Sequence, residues 1–169
     1  MKAIVAVDEK WGIGKKNGLL FSLKKDMAFF REKTTGKIIV MGSNTLKSFP
    51  DGKPLKNRIN VVLYPGGEKR DDCVICDDMR ELAEELKKYP PDDVFVVGGA
   101  MFYRTMLPYC STVYVTKVDA DGDAEVFFEN LDELENWNNV AESEKTEDNG
   151  YIIRFTEYKN DNPKKFGQD

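Results

Sequence analysis

The feature that most constrains this chain is a series of short apolar runs that are continuous rather than alternating, each followed by a turn or a helical pattern. They are Lys2 to Val7, Lys37 to Met41, Arg58 to Leu63, Asp72 to Cys76, Asp93 to Val97 and Val113 to Val118. Strands apolar on both sides must be covered on both sides, and this is the signature of a parallel sheet sandwiched by helices. Helical patterns fill the intervals: Lys24 to Lys33, Ser43 to Ser48, Asp78 to Lys88, and a segment from Gly98-Gly99 through Leu107. The clearest is Asp78 to Lys88, with Met79, Leu82, Ala83 and Leu86 on one face, Asp77-Asp78 at its start and Pro90-Pro91 beyond its end. Val140 to Ser143 and Tyr151 to Tyr158 read as an antiparallel pair around Glu147-Asp148-Asn149-Gly150. The expected fold is therefore α/β: a single domain with a mostly parallel central sheet of about eight strands, the last antiparallel, flanked by helices. At 169 residues and 41% hydrophobic content the chain suits one core, placed here in residues 1–159, with a polar tail at 160–169 expected to fray.

Composition removes several classes of function. The net charge of -5, from 30 acidic and 25 basic residues without a basic block, argues against nucleic acid or an anionic membrane as partner. Apolar runs such as Ile38 to Met41 and Val94 to Val97 fall far below the ~20 residues that cross a bilayer. The first residues enter a strand-like run without the zones of a signal peptide, so the cytosol is the expected location. Cys73, Cys76 and Cys110 make an odd count and are expected as free thiols. Cys73 and Cys76 spell C-x-x-C, yet no second pair and no histidine completes a zinc site, and no metal is expected. Without histidine, catalysis by Ser-His-Asp or Cys-His groups is excluded, leaving carboxylates, Tyr, Lys, Cys or water for proton transfer.

In a parallel sheet ligands gather beyond the carboxyl ends of the strands, here after Val7, Met41, Leu63, Val97 and Val118. The stretch from Asp8 to Leu23 is a long loop without periodicity, a length more often functional than idle. Val96-Val97-Gly98-Gly99-Ala100 joins a strand to a helix through paired glycines that would let backbone amides meet a pyrophosphate; a tight turn needing positive φ is the competing reading. Gly42-Ser43-Asn44-Thr45 repeats the arrangement, with an ordinary helix cap as its alternative. Asp26 lies four residues before Phe30, so carboxylate and ring share a helix face and suit an aminopyrimidine; a solvated Asp near a helix start is the alternative.

Taken in order, VDEKWGIGKKNGLLFSLKKDMAFF (Val7 to Phe30), IIVMGSNTLKSFP (Ile38 to Pro50), PLKNRINVVL (Pro54 to Leu63), VFVVGGAMFY (Val94 to Tyr103) and VYVTKVDADGDAEVFF (Val113 to Phe128) resemble the dihydrofolate reductase family over nearly the whole chain. The resemblance implies that Asp26 and Thr116 hold the pterin's pyrimidine edge, with Leu19 and Phe21 beside the reaction. It places Ile4, Val5, Ala6, Met27, Phe30, Phe49 and Val97 around the pterin, Leu55 on the aminobenzoyl portion and Arg58 on the glutamate carboxylate. For the cofactor it implies Ala6 with Ile13, Gly14, Asn17, Gly18 and Leu19 of a closing loop, braced by Asp123. It adds Gly42, Ser43, Asn44 and Thr45 at the phosphates, then Leu63, Tyr64 and Pro65. Val97, Gly98, Gly99, Ala100, Met101, Phe102 and Tyr103 complete the set.

The implied reaction is hydride transfer from NADPH to 7,8-dihydrofolate in one-carbon metabolism, by a monomer working without metal. Asp26 would orient and electrostatically favour a protonated pterin, and water would deliver the proton. Three positions depart from the family pattern. Leu20-Phe21 stands where Pro-Trp is usual, which removes an indole donor. Ser43 replaces a basic residue, and Tyr64-Pro65 replaces a hydroxyl and a basic residue. These changes imply weaker discrimination against NADH, with Lys69 or Arg70 as substitute phosphate ligands and no acidic residue in that stretch placed for a bare ribose. Two rivals remain at this point: the pyrimidine reductase of riboflavin synthesis, which shares the fold, and a non-catalytic nucleotide-binding module.

Overall fold

A computed structural model describes residues 1–15 and 18–167. In chain order its elements are β1 (Lys2–Val7), β2 (Gly12–Gly14), α1 (Lys24–Thr34), β3 (Ile38–Gly42), α2 (Ser43–Ser48), β4 (Ile59–Leu63), β5 (Val74–Cys76) and α3 (Met79–Leu86). They continue with β6 (Val94–Gly98), α4 (Ala100–Met106), β7 (Thr112–Val118), β8 (Val126–Phe127), β9 (Trp137–Glu142), β10 (Thr146–Asp148) and β11 (Tyr151–Asn160). The main sheet has nine strands in the order β10-β11-β7-β1-β6-β3-β4-β5, with β9 also pairing β11. From β7 to β5 every pairing is parallel, whereas β9, β10 and β11 run antiparallel. The expected α/β architecture is thus observed, and the antiparallel pair anticipated at Val140 to Ser143 and Tyr151 to Tyr158 is joined by β10.

Successive side chains of a strand point to opposite faces, and the two faces carry separate cores. One holds Ala3, Val5, Val7, Val40, Val61 and Val96 against Leu82 and Leu86 of α3 and Phe102, Tyr103 and Met106 of α4. The other holds Ile4, Ile39, Met41, Val62, Ile75 and Phe95 with Leu46 of α2, and Phe29 and Phe30 of α1 pack on it. Burying one such side chain contributes about 1.5–3 kcal/mol, so the unbroken runs are what fix the two-sided sheet.

Two expectations change. The loop after β1 is not structureless, because β2 pairs antiparallel with β8 through Gly12–Phe127 and Gly14–Val126. Glycine is needed there, since a Cβ on Gly12 would fall 2.3 Å from the Ala124 Cβ. The polar tail is docked rather than frayed through Gly167. Lys164 N–H donates to the Pro108 carbonyl at 2.9 Å, and the Phe166 ring meets Tyr109 edge-on at 5.0 Å.

Candidate active site at the parting of two strands

The site originates in a local failure of pairing. β1 pairs along its whole length with β7, but with β6 only at Lys2–Phe95 and Ala3–Val96. On the other side of β6, pairing with β3 shifts register after Val40, skipping Val97 and resuming at Met41–Gly98. β1 and β6 therefore part beyond Ala3 and leave a slot at their carboxyl ends. Ile4 faces this side of the sheet with partly buried Val97, Phe30, Phe49 and Leu55 nearby. The alternation of side chains splits the expected trio of Ile4, Val5 and Ala6. The Val5 side chain points into the opposite core, so at that position it is the backbone that can face the slot.

Asp26 enters from α1. Thr116 of β7 donates its hydroxyl to the Asp26 Oδ1 at 2.7 Å, so the two polar residues implied by the resemblance meet. Burial raises the Asp26 pKa; the Thr116 hydrogen bond pulls it back, and the nearby Asp148 carboxylate pushes it up again. Asp148 is also what starts α1, since Leu23 at the helix cap offers no side-chain acceptor. The Asp148 carboxylate accepts the N–H groups of Lys24 at 3.1 Å, Lys25 at 2.8 Å and Asp26 at 3.4 Å. It is 5% exposed and lies on β10, far away in sequence. No local pattern pointed to it; the only signal was a turn-forming Asp-Asn-Gly between two strands.

Arg58 and Leu55 lie on the loop leading into β4. Buried Asn60 fixes that loop by accepting the Leu55 N–H at 3.0 Å and donating to the carbonyls of Leu55 at 2.9 Å and Arg58 at 3.1 Å. The Arg58 guanidinium sits 5.9 Å from the Phe30 ring centre and donates to the Lys56 carbonyl. Burial and the neighbouring Arg31 cation both lower its pKa. Among the described residues neither arginine forms an ion pair. Two cations held together without an internal anion suit a carboxylate ligand, and Arg31 and Asn60 are additions that sequence reasoning missed.

On the other flank, a Cβ on Gly98 would stand 2.8 Å from the Thr45 Oγ1, and a Cβ on Gly42 would touch the Phe102 Cβ at 3.8 Å. The two glycine junctions therefore abut, with Thr45 between them. Ser43, Asn44 and Thr45 lie inside α2, whose cap, Gly42, receives no side-chain hydrogen bond, so the capping alternative does not hold. Tyr103 is buried and donates to the Ile4 carbonyl at 2.7 Å, which makes it a strut across the slot. The Phe102 side chain is likewise buried in the core, which leaves its backbone as the part able to face a cofactor. Its neighbour Met101 is 81% exposed, and Gly99 caps α4, which begins at Ala100.

In the loop after β1, Asp8 is the organising residue. Its carboxylate accepts the N–H groups of Lys10 at 2.9 Å, Gly12 at 2.7 Å and Gly122 at 2.9 Å. Gly14 accepts the Glu125 N–H at 2.9 Å, and Ile13 packs on the core. Asp123, the expected brace, sits in the same connection with its N–H on Asp121. Lys15 and Gly18 bridge to each other, Leu19 and Met27 are exposed, and Asn17 lies outside the described residues. Phe21 meets Tyr151 edge-on at 4.7 Å and belongs to a small cluster with Leu23, Val118 and Ile153. It carries no polar hydrogen, so its contribution is to wall the loop rather than transfer a proton.

After β4, Tyr64-Pro65-Gly66-Gly67 forms a tight turn closed by the Gly67 N–H on the Tyr64 carbonyl, with Gly66 at φ 72 and Leu63 packed on the core. Lys69 and Arg70 do not face it freely. Lys69 donates to the Ile75 carbonyl at 2.7 Å and pairs with Glu81, while Arg70 forms a two-pronged pair with Asp72. An open hollow of about 520 Å³ lies beside β5 and α3, lined by Lys69, Arg70, Cys73, Arg80, Glu84 and Lys88; it shares no residue with the Asp26 slot.

The dihydrofolate reductase family model matches residues 1–160. This chain belongs to that family. It is 32% identical to the dihydrofolate reductase of Bacillus subtilis over 167 residues, covering 97% of this chain and 96% of the relative. The Haemophilus influenzae dihydrofolate reductase is 30% identical over 154 residues, covering 90% and 93%. A solved dihydrofolate reductase from Enterococcus faecalis, complexed with NADP(H) and RAB-propyl, superposes with a TM-score of 0.81 at 27% identity, covering 95% of this chain and 96% of that one. With family membership the chain is an oxidoreductase of folate metabolism, and the riboflavin-pathway and non-catalytic rivals are not favoured.

Proposed function

We propose that this dihydrofolate reductase works through the slot between β1 and β6, reducing 7,8-dihydrofolate to 5,6,7,8-tetrahydrofolate with NADPH as the donor. The observation that carries the assignment of roles is the Asp26–Thr116 pair at 2.7 Å, a partly buried carboxyl whose pKa is raised by burial, placed from a helix beside a strand gap. Ile4, Val97, Phe30 and Phe49 supply apolar walls for a flat heterocycle, while Leu55 and Arg58 lie further out for the aminobenzoyl-glutamate portion. NADPH, when bound, supplies the hydride from its nicotinamide. The junction fits such a group in that its glycines bring the backbone of the two strand ends together, Gly98 tight against Thr45 and Gly42 against Phe102, where a side chain on Gly98 would not fit.

Asp26 accepts hydrogen bonds from the amino and N–H edge of the pterin and favours a positive charge on that ring, which promotes protonation at N5. Thr116 fixes which carboxylate oxygen is committed. Ile13, Gly14, Gly18 and Leu19 of the loop anchored by Asp8 cover the nicotinamide side, limiting bulk water and holding donor and acceptor carbons together. Water admitted there delivers the proton, and neither Leu20 nor Phe21 carries a side-chain donor to order it.

The enzyme is read as a cytosolic monomer that needs no metal, nucleic acid or membrane. Among the described residues no helix is long and apolar enough to span a bilayer and no metal-binding group of side chains forms. The deciding assay is loss of reduced-nicotinamide absorbance with dihydrofolate and with a ribosylated aminopyrimidine as alternative acceptors. Turnover with dihydrofolate is expected; turnover with the pyrimidine alone, or with neither, would overturn the reading. Gel filtration at micromolar concentration checks the monomer.

A further inference from the structure

The turn between β10 and β11 is Asn149-Gly150, with both residues at positive φ, 51 and 86, and Asp148 paired to Tyr151 across it. Asn-Gly is the sequence that forms such a two-residue hairpin most readily, and the turn fixes the register of the residues beside it. Asp148, the last residue before the turn, is held in this way against the start of α1 and is 5% exposed. The hairpin is fastened there on both sides. Asn149 donates its side-chain amide to the Ser22 carbonyl at 2.9 Å, and the Lys25 ammonium donates to the Thr146 hydroxyl at 2.8 Å and the Glu147 carbonyl at 2.7 Å.

This placement bears on Asp26, an acid in the first turn of the same helix. The free N–H groups and the dipole of a helix start ordinarily favour a carboxylate there in its charged form. Here the first three amides, those of Lys24, Lys25 and Asp26 itself, are taken by Asp148, and one Asp148 oxygen lies 3.4 Å from the Asp26 nitrogen. Asp26 is left with the Thr116 hydroxyl. Among the described residues neither carboxylate forms an ion pair. Thr116 from β7, Asp148 from β10 and Tyr103 from α4 face Asp26, and burial keeps the Tyr103 phenol protonated. The cations of the neighbouring strands are engaged elsewhere, Lys117 of β7 with Asp132 and Arg154 of β11 with Glu142.

We propose that Asp148 is a positioning residue for the reduction: by occupying the amides that open α1 and adding a negative charge beside Asp26, it keeps a proton at the pterin site up to a higher pH than Asp26 would alone. The inference rests on the role proposed for Asp26 above. Both effects have the same sign, since one removes donors that would stabilise the Asp26 anion and the other repels that anion. The added charge favours the proton on Asp26 in the free protein and on the ring when a pterin is bound.

Asp148→Asn and Asp148→Ser each keep an oxygen for a helix amide and lose the charge. Single-turnover hydride transfer, followed in a stopped-flow after mixing enzyme and NADPH with dihydrofolate, should show a loss that deepens as pH rises, about three- to tenfold greater on the alkaline limb than at the acid end. In free enzyme carrying carbon-13-labelled aspartate, the Asp26 carboxyl resonance should titrate at lower pH in both variants than in wild type. A purely structural cap would lower the rate equally at every pH and leave the Asp26 titration unmoved. Either of those results, or failure of both neutral variants to fold, would overturn the inference. Absence of wild-type turnover with dihydrofolate would instead refute the functional reading, and the carboxyl titration would still judge the effect of Asp148 on Asp26.

Discussion

Two regions at the carboxyl ends of the strands are built differently. At the β1–β6 slot the polar groups are inward and few, and each has a defined partner: Asp26 Oδ1 with Thr116, Asp148 with three amides, Tyr103 with the Ile4 carbonyl. At the β4–β5 end they are outward and numerous, and they pair with one another on the surface. Low dielectric strengthens each interaction in the first region, while solvent screens those in the second. A polar contact at the slot therefore carries more weight than one at the β4–β5 end.

The sharpest way to break this comparison is Asp26→Asn. Its activity near neutral pH should fall about a hundredfold or more, the scale of a lost acid-base or electrostatic group, while the Asn oxygen still accepts from Thr116. Steady-state turnover with dihydrofolate checks it, and near-wild-type rates would remove Asp26 from the mechanism. Next comes Arg58→Leu, expected to weaken dihydrofolate binding by about ten- to a hundredfold through loss of a charged hydrogen bond of roughly 1.5–3 kcal/mol. Its turnover at saturating substrate should change far less, because Arg58 is remote from Asp26; unchanged binding would refute the carboxylate role.

Asp8→Ala tests the loop anchor. It strands three amide donors, two of them partly exposed, and should cost about 1–3 kcal/mol in urea unfolding while raising the KM for the cofactor. A variant with unaltered stability and KM would show that the anchor is idle.

A smaller effect separates stability from activity. Asp26 has a raised pKa in the folded protein, so its ionised form is penalised by folding. The penalty is absent below the unfolded pKa and complete above the folded one, and stability therefore rises as pH falls through this window. Asp26→Asn should melt higher than wild type at pH 7, the gap closing as pH is lowered into the acid range. A lower melting temperature at pH 7 would contradict the assigned cause of the shift. The smallest effect is expected at Ser43→Arg, on a half-buried helix start, which should favour NADPH by about 1 kcal/mol or less, visible as a modest change in the ratio of kcat/KM values.

These regions also differed in how far their sequence could be read. α1, with Asp26 and Phe30 four apart, was legible because helical spacing alone puts both on one face. The glycine junctions were legible as junctions, but their mutual contact through Thr45 required the strand order. For Ile4 and Val5 the strand register adds what the order of residues alone does not say, that their side chains enter opposite cores and only Ile4 can offer its side chain to the slot. Asp148, Asn60 and Asp8 were invisible as site builders, because each acts on backbone amides and carbonyls, and backbone leaves no imprint on the pattern of side chains.

The Tyr103 hydroxyl has a thermodynamic consequence. It ties α4, which begins at the cofactor's glycine cradle, to the carbonyl of Ile4 at the substrate's wall. Any adjustment of α4 made by one ligand reaches the surface met by the other, and the free energy of that coupling belongs to both equilibria at once. The factor by which bound cofactor alters the affinity for dihydrofolate must equal the factor by which dihydrofolate alters the affinity for cofactor, and Tyr103→Phe cuts both by the same amount.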